Sequence, residues 1–206
     1  MAKLCYKYAA MNSGKTMDLL RTAHNYEEFD RKVLVIKPEV DTKGGKSIVT
    51  RMGLKREVDY LISSTDSIIE VLRGNLADVA AIFVDEAQFL KRNQVDELFK
   101  IAHVCDIAVI CYGLRSNFQS IAFEGSSRLL ELADDMQELK TLCRCGEIAR
   151  FNARKVNGRF VSEGDTVVID GEAKVEYVPL CGDCYLRYVG KVNFRKEKQK
   201  IKSRGE

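Results

Sequence analysis

Ala9-Ala10-Met11-Asn12-Ser13-Gly14-Lys15-Thr16 lies between an apolar segment, Lys3 to Tyr8, and a segment whose apolar residues recur at helical spacing. This strand–loop–helix order is the context that a phosphate-binding loop requires. In such a loop, backbone N–H groups point at the β- and γ-phosphates, the lysine adds positive charge, and the threonine hydroxyl contacts Mg²⁺ at the helix N-terminus. The sequence therefore predicts that the chain binds a nucleoside triphosphate together with Mg²⁺.

The loop departs from the usual pattern, G-x-x-x-x-G-K-S/T, because Ala9 stands at the first glycine position. Glycine normally supplies free choice of the φ angle there. Alanine is acceptable if the backbone keeps a negative φ, and Ser13 to Thr16 retains the part that surrounds the β-phosphate. The alternative interpretation is a chance Gly-Lys-Thr sequence in a helix-capping turn.

A second apolar run, Ala80 to Val84, ends in Asp85 and Glu86. Its composition is typical of a buried parallel strand, and α/β sheets bind ligands at the carboxyl ends of such strands. We expect Asp85 to hold Mg²⁺, directly or through water, and Glu86 to accept a proton from a nucleophile. The alternative is a helix N-terminus, where carboxylates are favoured on electrostatic grounds alone.

Composition limits the class of protein. The chain has 206 residues, of which 46% are hydrophobic, and only two prolines, which suits one domain of ordinary size with a small appendage. It has no signal-peptide pattern and no apolar run near about 18 residues, so we expect a cytoplasmic protein with no membrane partner. Its net charge of +3 is concentrated between Arg195 and Arg204, which we interpret as a solvated tail. Nucleic-acid binding is the less favoured alternative, because only Phe194 could stack on a base there.

Four of the seven cysteines form two close pairs, Cys143 with Cys145 and Cys181 with Cys184. Disulfides are rare in a reducing compartment, and paired cysteines beside turn-forming glycines are typical of a zinc site. Four thiolates fill the coordination sphere of Zn²⁺, so the metal is expected to be structural and not catalytic. Cys5, Cys105 and Cys111 lie in apolar stretches and are expected in the core.

Apolar runs alternate with helical patterns before Leu142. Strands are predicted at Lys32–Lys37 and Ile107–Cys111, and helices at Asp66–Asn75, Gln94–Val104 and Ser126–Asp134. This alternation predicts an α/β fold with a doubly wound, mostly parallel sheet. Beyond Leu142, glycine, cysteine and β-branched residues predominate, and Val167–Ile169 is predicted as a strand. We therefore predict a nucleotide-binding domain over residues 1–140, a zinc-ribbon subdomain over 141–192, and a basic, disordered tail over 193–206.

The order of these motifs resembles that of the thymidine kinases of many bacteria and of animal cytosol, over nearly the whole chain. The matching segments are Ala9 to Thr16, Lys37 to Asp41, Asp85 to Phe89, Tyr112 to Phe118, Phe123 to Ser126 and the two cysteine pairs. The resemblance implies a RecA-like P-loop fold, transfer of the γ-phosphoryl group of ATP to the 5′-hydroxyl of thymidine for nucleotide salvage and DNA synthesis, feedback binding of thymidine triphosphate, and a homotetramer. Deoxyuridine is a further possible substrate.

The resemblance also implies residue roles, with Glu86 as the general base. The nucleotide and Mg²⁺ would contact Ala9, Ala10, Met11, Asn12, Ser13, Gly14, Lys15, Thr16, Asp41, Lys43, Asp85 and Gln88. The thymine ring would be enclosed by Met11, Phe89, Leu114, Phe118, Phe123 and Tyr177. A lasso loop over 157–177 would read the edge of the base through the main chain of Val168, Ile169, Asp170 and Gly171. For each apolar residue taken alone, ordinary core packing is the alternative.

One further departure concerns Asn117 and Gln119, where many relatives carry an aspartate and an arginine around Phe118. If that arginine served phosphate binding, Arg115 or Arg128 could replace it.

Two other functional classes also fit part of the sequence. A recombinase- or helicase-like ATPase would explain the loop and the Asp-Glu strand end. A zinc-ribbon interaction protein with a decayed nucleotide site would explain Ala9, although Lys15, Thr16, Asp85 and Glu86 are all intact.

Overall fold

The computed structural model describes residues 1–41, 44–164, 174–190 and 201. The chain divides into two compact units. The first, here called the sheet unit, consists of Met1–Ala9, Ser13–Arg115 and Ala122–Leu139. The second, here called the cysteine unit, consists of Ala10–Asn12, Ser116–Ile121 and Lys140–Glu206.

The sheet unit is built on a six-stranded parallel sheet. Its strands are β1 (Leu4–Ala9), β2 (Lys32–Pro38), β5 (Tyr60–Ile62), β6 (Val79–Val84), β7 (Ala108–Leu114) and β8 (Asp135–Glu138), and a separate hairpin is formed by β3 (Ser47–Val49) and β4 (Lys55–Glu57). The strand order is β5-β2-β6-β7-β1-β8, and every neighbouring pair is parallel. The predicted parallel α/β sheet is confirmed.

Helices cover both faces of this sheet. They are α1 (Lys15–Glu27), α2 (Ile68–Leu72), α3 (Arg92–Val104) and α4 (Glu124–Leu132). Alternate residues of β2 enter opposite cores, because successive side chains of a strand point to opposite faces. Val33 and Val35 pack in the core that contains Leu19 of α1, whereas Leu34 and Ile36 belong to the core that includes residues of α2, α3 and α4. A sheet buried on both faces explains why its strands are continuous apolar runs.

Parallel pairing brings the carboxyl ends of the central strands to one edge of the sheet. Ala9, the last residue of β1, is paired with Leu114, the last residue of β7. Val84, the last residue of β6, lies in register with Cys111 of β7 and with Ile36 of β2. The segments that follow these strands, including the start of the phosphate-binding loop and the Asp85–Glu86 pair, therefore leave the sheet at the same edge.

The described part of the cysteine unit includes short antiparallel strands and a helix of seven residues. These are β9 (Thr141–Leu142), β10 (Ile148–Ala149), β11 (Phe151–Val156), β12 (Arg159–Val161), β13 (Val175–Leu180) and α5 (Gly182–Tyr188). β9 pairs with β10, and β11 lies between β12 and β13. Its small core combines Ala149, Ala153, Leu180 and Val189 with three of the paired cysteines.

Two predicted structural segments fall outside the described residues. These are the strand at Val167–Ile169 and, apart from Ile201, the tail over 193–206. Among the helices that the structure does describe, none has the length and apolar character needed to span a bilayer.

Candidate active site

The loop after β1 has the backbone conformation that its glycine permits. Gly14 caps the N-terminus of α1 with a φ of 80° and a ψ of 18°. A Cβ built on Gly14 would meet no atom within 4 Å, so glycine is needed there for its left-handed backbone and not for space. Ala9, by contrast, is still part of β1 and is not among the residues with positive φ. The missing first glycine is therefore compatible with the backbone that the chain adopts.

Two polar groups of the loop suit an anion. Lys15 is only 8% exposed, although it stands in the first turn of α1. The hydroxyl oxygen of Ser13 is buried and has no hydrogen-bond partner among the described residues. An unpaired buried hydroxyl beside a buried lysine at a helix N-terminus fits a phosphate group, which would supply the missing acceptor.

Asp85 and Glu86 follow directly after β6. Asp85 is 4% exposed, and one oxygen of its carboxyl accepts the backbone N–H of Glu86 at 3.0 Å. Burial raises the pKa of Asp85 to about 7, the neighbouring Glu86 charge adds to this effect, and the positive charge of Lys15 opposes it. A buried carboxyl with a second carboxylate beside it is favoured in its charged form by a bound cation, so the pair fits Mg²⁺.

Glu86 has an unusual backbone conformation. Its φ of 48° and ψ of 38° lie in the left-handed region, which costs a residue with a side chain about 1–3 kcal/mol. The residue caps the N-terminus of a 3₁₀ turn, Ala87–Phe89, and its side chain is partly exposed. Gln88 is 2% exposed and donates a hydrogen bond to the Glu86 carboxylate. Glu86 and Gln88 thus lie next to each other just beyond the carboxyl end of β6.

Lys37 is a residue to which sequence reasoning assigned no role. It is 1% exposed near the end of β2, and its ammonium group lies 2.9 Å from a carboxylate oxygen of Asp41. Asp41 in turn contributes to the raised pKa of Asp85. The sequence signals were a lysine at the carboxyl end of an apolar strand and its place in the segment Lys37 to Asp41, which resembles the thymidine kinases. Lys43, predicted to contact the nucleotide, lies outside the described residues.

The predicted thymine-binding residues are divided between the two units. In the sheet unit, the rings of Phe89 and Phe123 meet edge to face, with centroids 5.6 Å apart and an interplanar angle of 79°. Both rings and Leu114 are partly exposed. An aromatic pair with remaining accessible surface has the chemistry needed to contact a flat base.

In the cysteine unit, the backbone N–H of Met11 donates to the side-chain oxygen of Asn152 at 2.8 Å. The guanidinium group of Arg154 lies over the ring of Phe118, 3.8 Å from its centroid, and donates to the Glu163 carbonyl at 2.9 Å. Tyr177 is partly exposed on β13. The four main-chain positions predicted to read the base, Val168, Ile169, Asp170 and Gly171, lie outside the described residues.

The departure at Asn117 has a structural explanation. Its side-chain oxygen accepts the backbone N–H groups of Gln119 at 2.9 Å and Ile121 at 3.0 Å. An aspartate offers the same acceptor oxygen, so a neutral asparagine serves this turn equally well. Arg128 pairs with Asp96 at 2.5 Å and Glu131 at 2.7 Å, which makes it a poor substitute for a phosphate-binding arginine.

The paired cysteines form a compact cluster in the cysteine unit. The sulfur atoms of Cys143, Cys145, Cys181 and Cys184 all lie within 4.8 Å of one another, and those of Cys145 and Cys181 are 3.5 Å apart. Zn–S bonds of about 2.3 Å in a tetrahedron place sulfurs about 3.8 Å apart, so the cluster fits a zinc ion.

The protonation of the thiols agrees with this fit. Burial raises the pKa of the Cys184 thiol to about 12. Burial also raises that of Cys143, but N–H donation from the backbone of Cys145 and Cys181 outweighs it and brings its pKa to about 7. Four thiolates therefore need a cation to coexist here.

Of the three other cysteines, Cys111 is buried and Cys5 is partly buried. The prediction that Cys105 is a core residue is wrong. It is exposed, because it caps the carboxyl end of α3, where the chain leaves the core.

Comparison with known proteins shows which family this chain resembles. The family model described as thymidine kinase matches residues 2–185. A thymidine kinase of Chromobacterium violaceum is 43% identical over 90% of this chain and 98% of the relative, and one of Enterobacteria phage T4 is 43% identical over 88% and 94%. One of Lactiplantibacillus plantarum is 41% identical over 90% and 96%.

Similarity to solved structures is weaker. The crystal structure of Bacteroides Pif1 bound to ssDNA covers 66% of this chain and 38% of that chain at 14% identity. Its TM-score of 0.35 is too low to support an argument about fold or function. The family model and the curated relatives, which extend over most of the chain, are decisive: the chain belongs to the thymidine kinase family.

Proposed function

We propose that this protein is a thymidine kinase, which transfers the γ-phosphoryl group of ATP to the 5′-hydroxyl of thymidine and yields thymidine monophosphate and ADP. The observation that carries the proposal is a sheet edge that combines a phosphate-binding loop with the buried Asp85 and the partly exposed Glu86, in a chain of this family. Deoxyuridine is a second substrate candidate, because one methyl group contributes only about 1–3 kcal/mol to discrimination.

The loop after β1 would hold the nucleotide. The segment from Ala9 through Thr16 would surround the phosphates, with the Ser13 hydroxyl and the Lys15 ammonium group as its side-chain contacts. Asp85 and the Thr16 hydroxyl would hold Mg²⁺. When bound, the ion would neutralise charge on the β- and γ-phosphate oxygens. Asp41, Gln88 and Lys43 are the remaining residues expected near the nucleotide.

Glu86 would act as the general base. Asp85 is almost fully buried, whereas Glu86 is partly exposed, and this accessibility supports Glu86 as the residue that would meet a substrate hydroxyl. As the oxygen–phosphorus bond to the 5′-oxygen forms, the proton of that hydroxyl passes to the Glu86 carboxylate. The bond between the γ-phosphorus and the bridging oxygen breaks, and its electron pair leaves with ADP.

Thymine would be bound by the apolar residues Met11, Phe89, Leu114, Phe118, Phe123 and Tyr177. The edge-to-face pair of Phe89 and Phe123 supports this part of the proposal, because both rings keep accessible surface. Main-chain groups at Val168 to Gly171 would read the polar edge of the base. Such contacts discriminate well, since a wrong base leaves buried polar groups unpaired.

The remaining expectations belong to the same proposal. The four-cysteine cluster would hold structural Zn²⁺ within a subdomain over 141–192, which follows a nucleotide-binding domain over 1–140 in the sequence. From the family resemblance we also propose a cytoplasmic homotetramer whose site binds thymidine triphosphate as a feedback inhibitor. Nucleic acid is not expected as a partner.

The test is ATP-dependent phosphorylation of the four deoxynucleosides, with zinc content measured on the same preparation. We expect turnover largely confined to thymidine and deoxyuridine. ATP hydrolysis without nucleoside dependence would favour the ATPase alternative. A thermal-shift experiment distinguishes the proposed kinase from a zinc-ribbon protein with a decayed nucleotide site. Thymidine or thymidine triphosphate raises the Tm only of a protein that binds it.

A further inference from the structure

We propose that Gln88 is a positioning residue, which holds the Glu86 carboxylate in place and is itself anchored on the backbone of Leu114. This inference rests on the proposed function, because Glu86 is a general base only if the chain phosphorylates a hydroxyl. It also gives Gln88 a role different from the nucleotide contact that the family resemblance implies.

The two ends of the Gln88 amide have different partners. Its oxygen accepts the backbone N–H of Leu114 at 3.0 Å, and its nitrogen donates to a carboxylate oxygen of Glu86. An amide oxygen can only accept and an amide nitrogen can only donate. Because the Leu114 N–H binds the amide oxygen, the amide nitrogen of Gln88 faces Glu86 and donates to its carboxylate.

Leu114 is a rigid anchor. Its carbonyl oxygen accepts hydrogen bonds from the Tyr6 hydroxyl at 2.9 Å and from the Ser126 hydroxyl at 2.6 Å. Both donors are fully buried, and Leu114 is also paired with Ala9 in the sheet. The peptide groups on both sides of the Leu114 Cα are thus held by side chains from β1, α4 and the 3₁₀ turn.

Gly113 allows Gln88 to approach this anchor. A Cβ at Gly113 would lie 2.9 Å from the amide oxygen of Gln88 and 3.1 Å from its backbone nitrogen. Both distances are shorter than ordinary van der Waals contact, so any larger residue would displace Gln88. The glycine of β7 is explained by close approach and not by a special φ angle.

Glu86 needs such support for two reasons. Its backbone has the left-handed conformation, and the residue stands immediately before a turn of only three residues, Ala87–Phe89. A general base works only within hydrogen-bond reach of the proton that it abstracts, so a small displacement lowers the rate. The Gln88 amide is buried and makes two hydrogen bonds, so it is well suited to prevent that displacement.

The test compares Gln88→Ala and Gln88→Met with the control Gln94→Ala. Gln94 is 1% exposed, and its amide is also fully used, with Lys91 N–H as donor and the Ser63 and Asp66 carbonyls as acceptors. None of these partners is Glu86 or Leu114. We expect both Gln88 variants to lower kcat about 10–100-fold while KM for ATP and thymidine changes less than about 3-fold. The control is expected to lower Tm but to keep kcat within about 2-fold.

A double-mutant cycle identifies the residue through which Gln88 acts. If Gln88 serves Glu86, adding Gln88→Ala to Glu86→Gln should reduce kcat by less than about 2-fold, because the base is already lost. Additive losses would overturn the proposal, since they indicate a separate contact with the nucleotide or Mg²⁺. A loss expressed only as a higher KM for ATP would overturn it as well.

Gly113→Ala provides a second route if the Gln88 variants do not fold. It displaces the Gln88 amide without removing it, and we expect a lower kcat with little change in KM. Unchanged kcat in a folded Gly113→Ala or Gln88 variant would contradict the inference, while the wild type still phosphorylates thymidine. A wild type without thymidine-dependent turnover would instead refute the proposed function itself.

Discussion

The carboxyl edge of the parallel sheet and the four-cysteine cluster both gather polar side chains from distant parts of the sequence, but they do so by different means. The cluster is built from two local cysteine pairs whose spacing already suits one metal ion. The sheet edge combines single residues after separate strands, held by buried side chains such as Gln88 and Lys37. A metal site is therefore specified by residue type, whereas the sheet edge depends on strand order and on its supporting contacts.

The largest expected effect is loss of the zinc ion that we propose for the cysteine cluster. Cys181→Ser should abolish stoichiometric zinc and the hydrogen-exchange protection of β11 and β13, because structural zinc contributes about 10–16 kcal/mol of apparent binding free energy in small sites. Cys105→Ser is the matched control, since Cys105 is exposed and lies outside the cluster. Zinc retained at full stoichiometry in Cys181→Ser would contradict the assignment.

At the sheet edge, Glu86→Gln should lower kcat at least about 100-fold, which corresponds to about 2.7 kcal/mol in the activation free energy. Folding should not suffer, because the substitution removes a charge that raises the pKa of the buried Asp85. Steady-state kinetics and thermal unfolding of the same preparation measure both effects. A kcat within about 5-fold of wild type would show that another group accepts the proton.

Asp18 connects α1 to the parallel sheet. One of its carboxylate oxygens lies 2.8 Å from the Lys7 ammonium group and accepts a hydrogen bond from the Tyr112 hydroxyl at 3.0 Å. Burial raises the pKa of Asp18, but hydrogen bonds from Lys7 and Arg21 outweigh it and leave the pKa below its usual range. A carboxyl with a lowered pKa stabilises the fold above about pH 4, and this contribution is lost as the pH falls through the lowered value.

Asp18→Asn should therefore lower the free energy of unfolding by about 1–2 kcal/mol at pH 7, and the difference should shrink below about pH 4. Urea unfolding of wild type and variant from about pH 3 to about pH 7 measures this difference in the free energy of unfolding. Asp30→Asn, at an exposed position after α1, should change stability by less than about 0.5 kcal/mol. If the difference in the free energy of unfolding between Asp18→Asn and wild type stayed constant over this pH range, the charge of Asp18 would not contribute to stability.

The smallest effect concerns the phosphate-binding loop. Ala9→Gly restores the usual motif, yet we expect no gain in ATP affinity and a loss of about 0.5–1 kcal/mol in stability, because Ala9 belongs to a strand with negative φ. Gly14→Ala should cost about 1–2 kcal/mol, since φ is 80° there. Isothermal titration with Mg²⁺ and ATP measures the affinities. Tighter binding by Ala9→Gly would show that the alanine strains the loop.

Most of the fold could be predicted, because apolar runs and helical spacing are local properties. The strands at Lys32–Lys37 and Ala80–Val84 were found within about two residues, since a sheet buried on both faces requires continuous apolar strands. Cys105 was misplaced because an apolar neighbourhood does not reveal that a residue caps a helix at the surface. Roles at 168–171 remain predictions.

The amino-acid sequence alone determined the types of chemistry: a phosphate-binding loop, two carboxylates after a buried strand, and four cysteines with metal-ligand spacing. These are specified by which residues stand next to one another along the chain. Only the tertiary structure decided that Lys37 faces Asp41 and that Gln88 joins Glu86 to Leu114. The contact between Gln88 and Leu114 depends on the pairing of β6 with β7, and the burial of the local Lys37–Asp41 pair depends on the strands packed around it. No local pattern encodes that order of strands, because it is set by packing across the whole sheet.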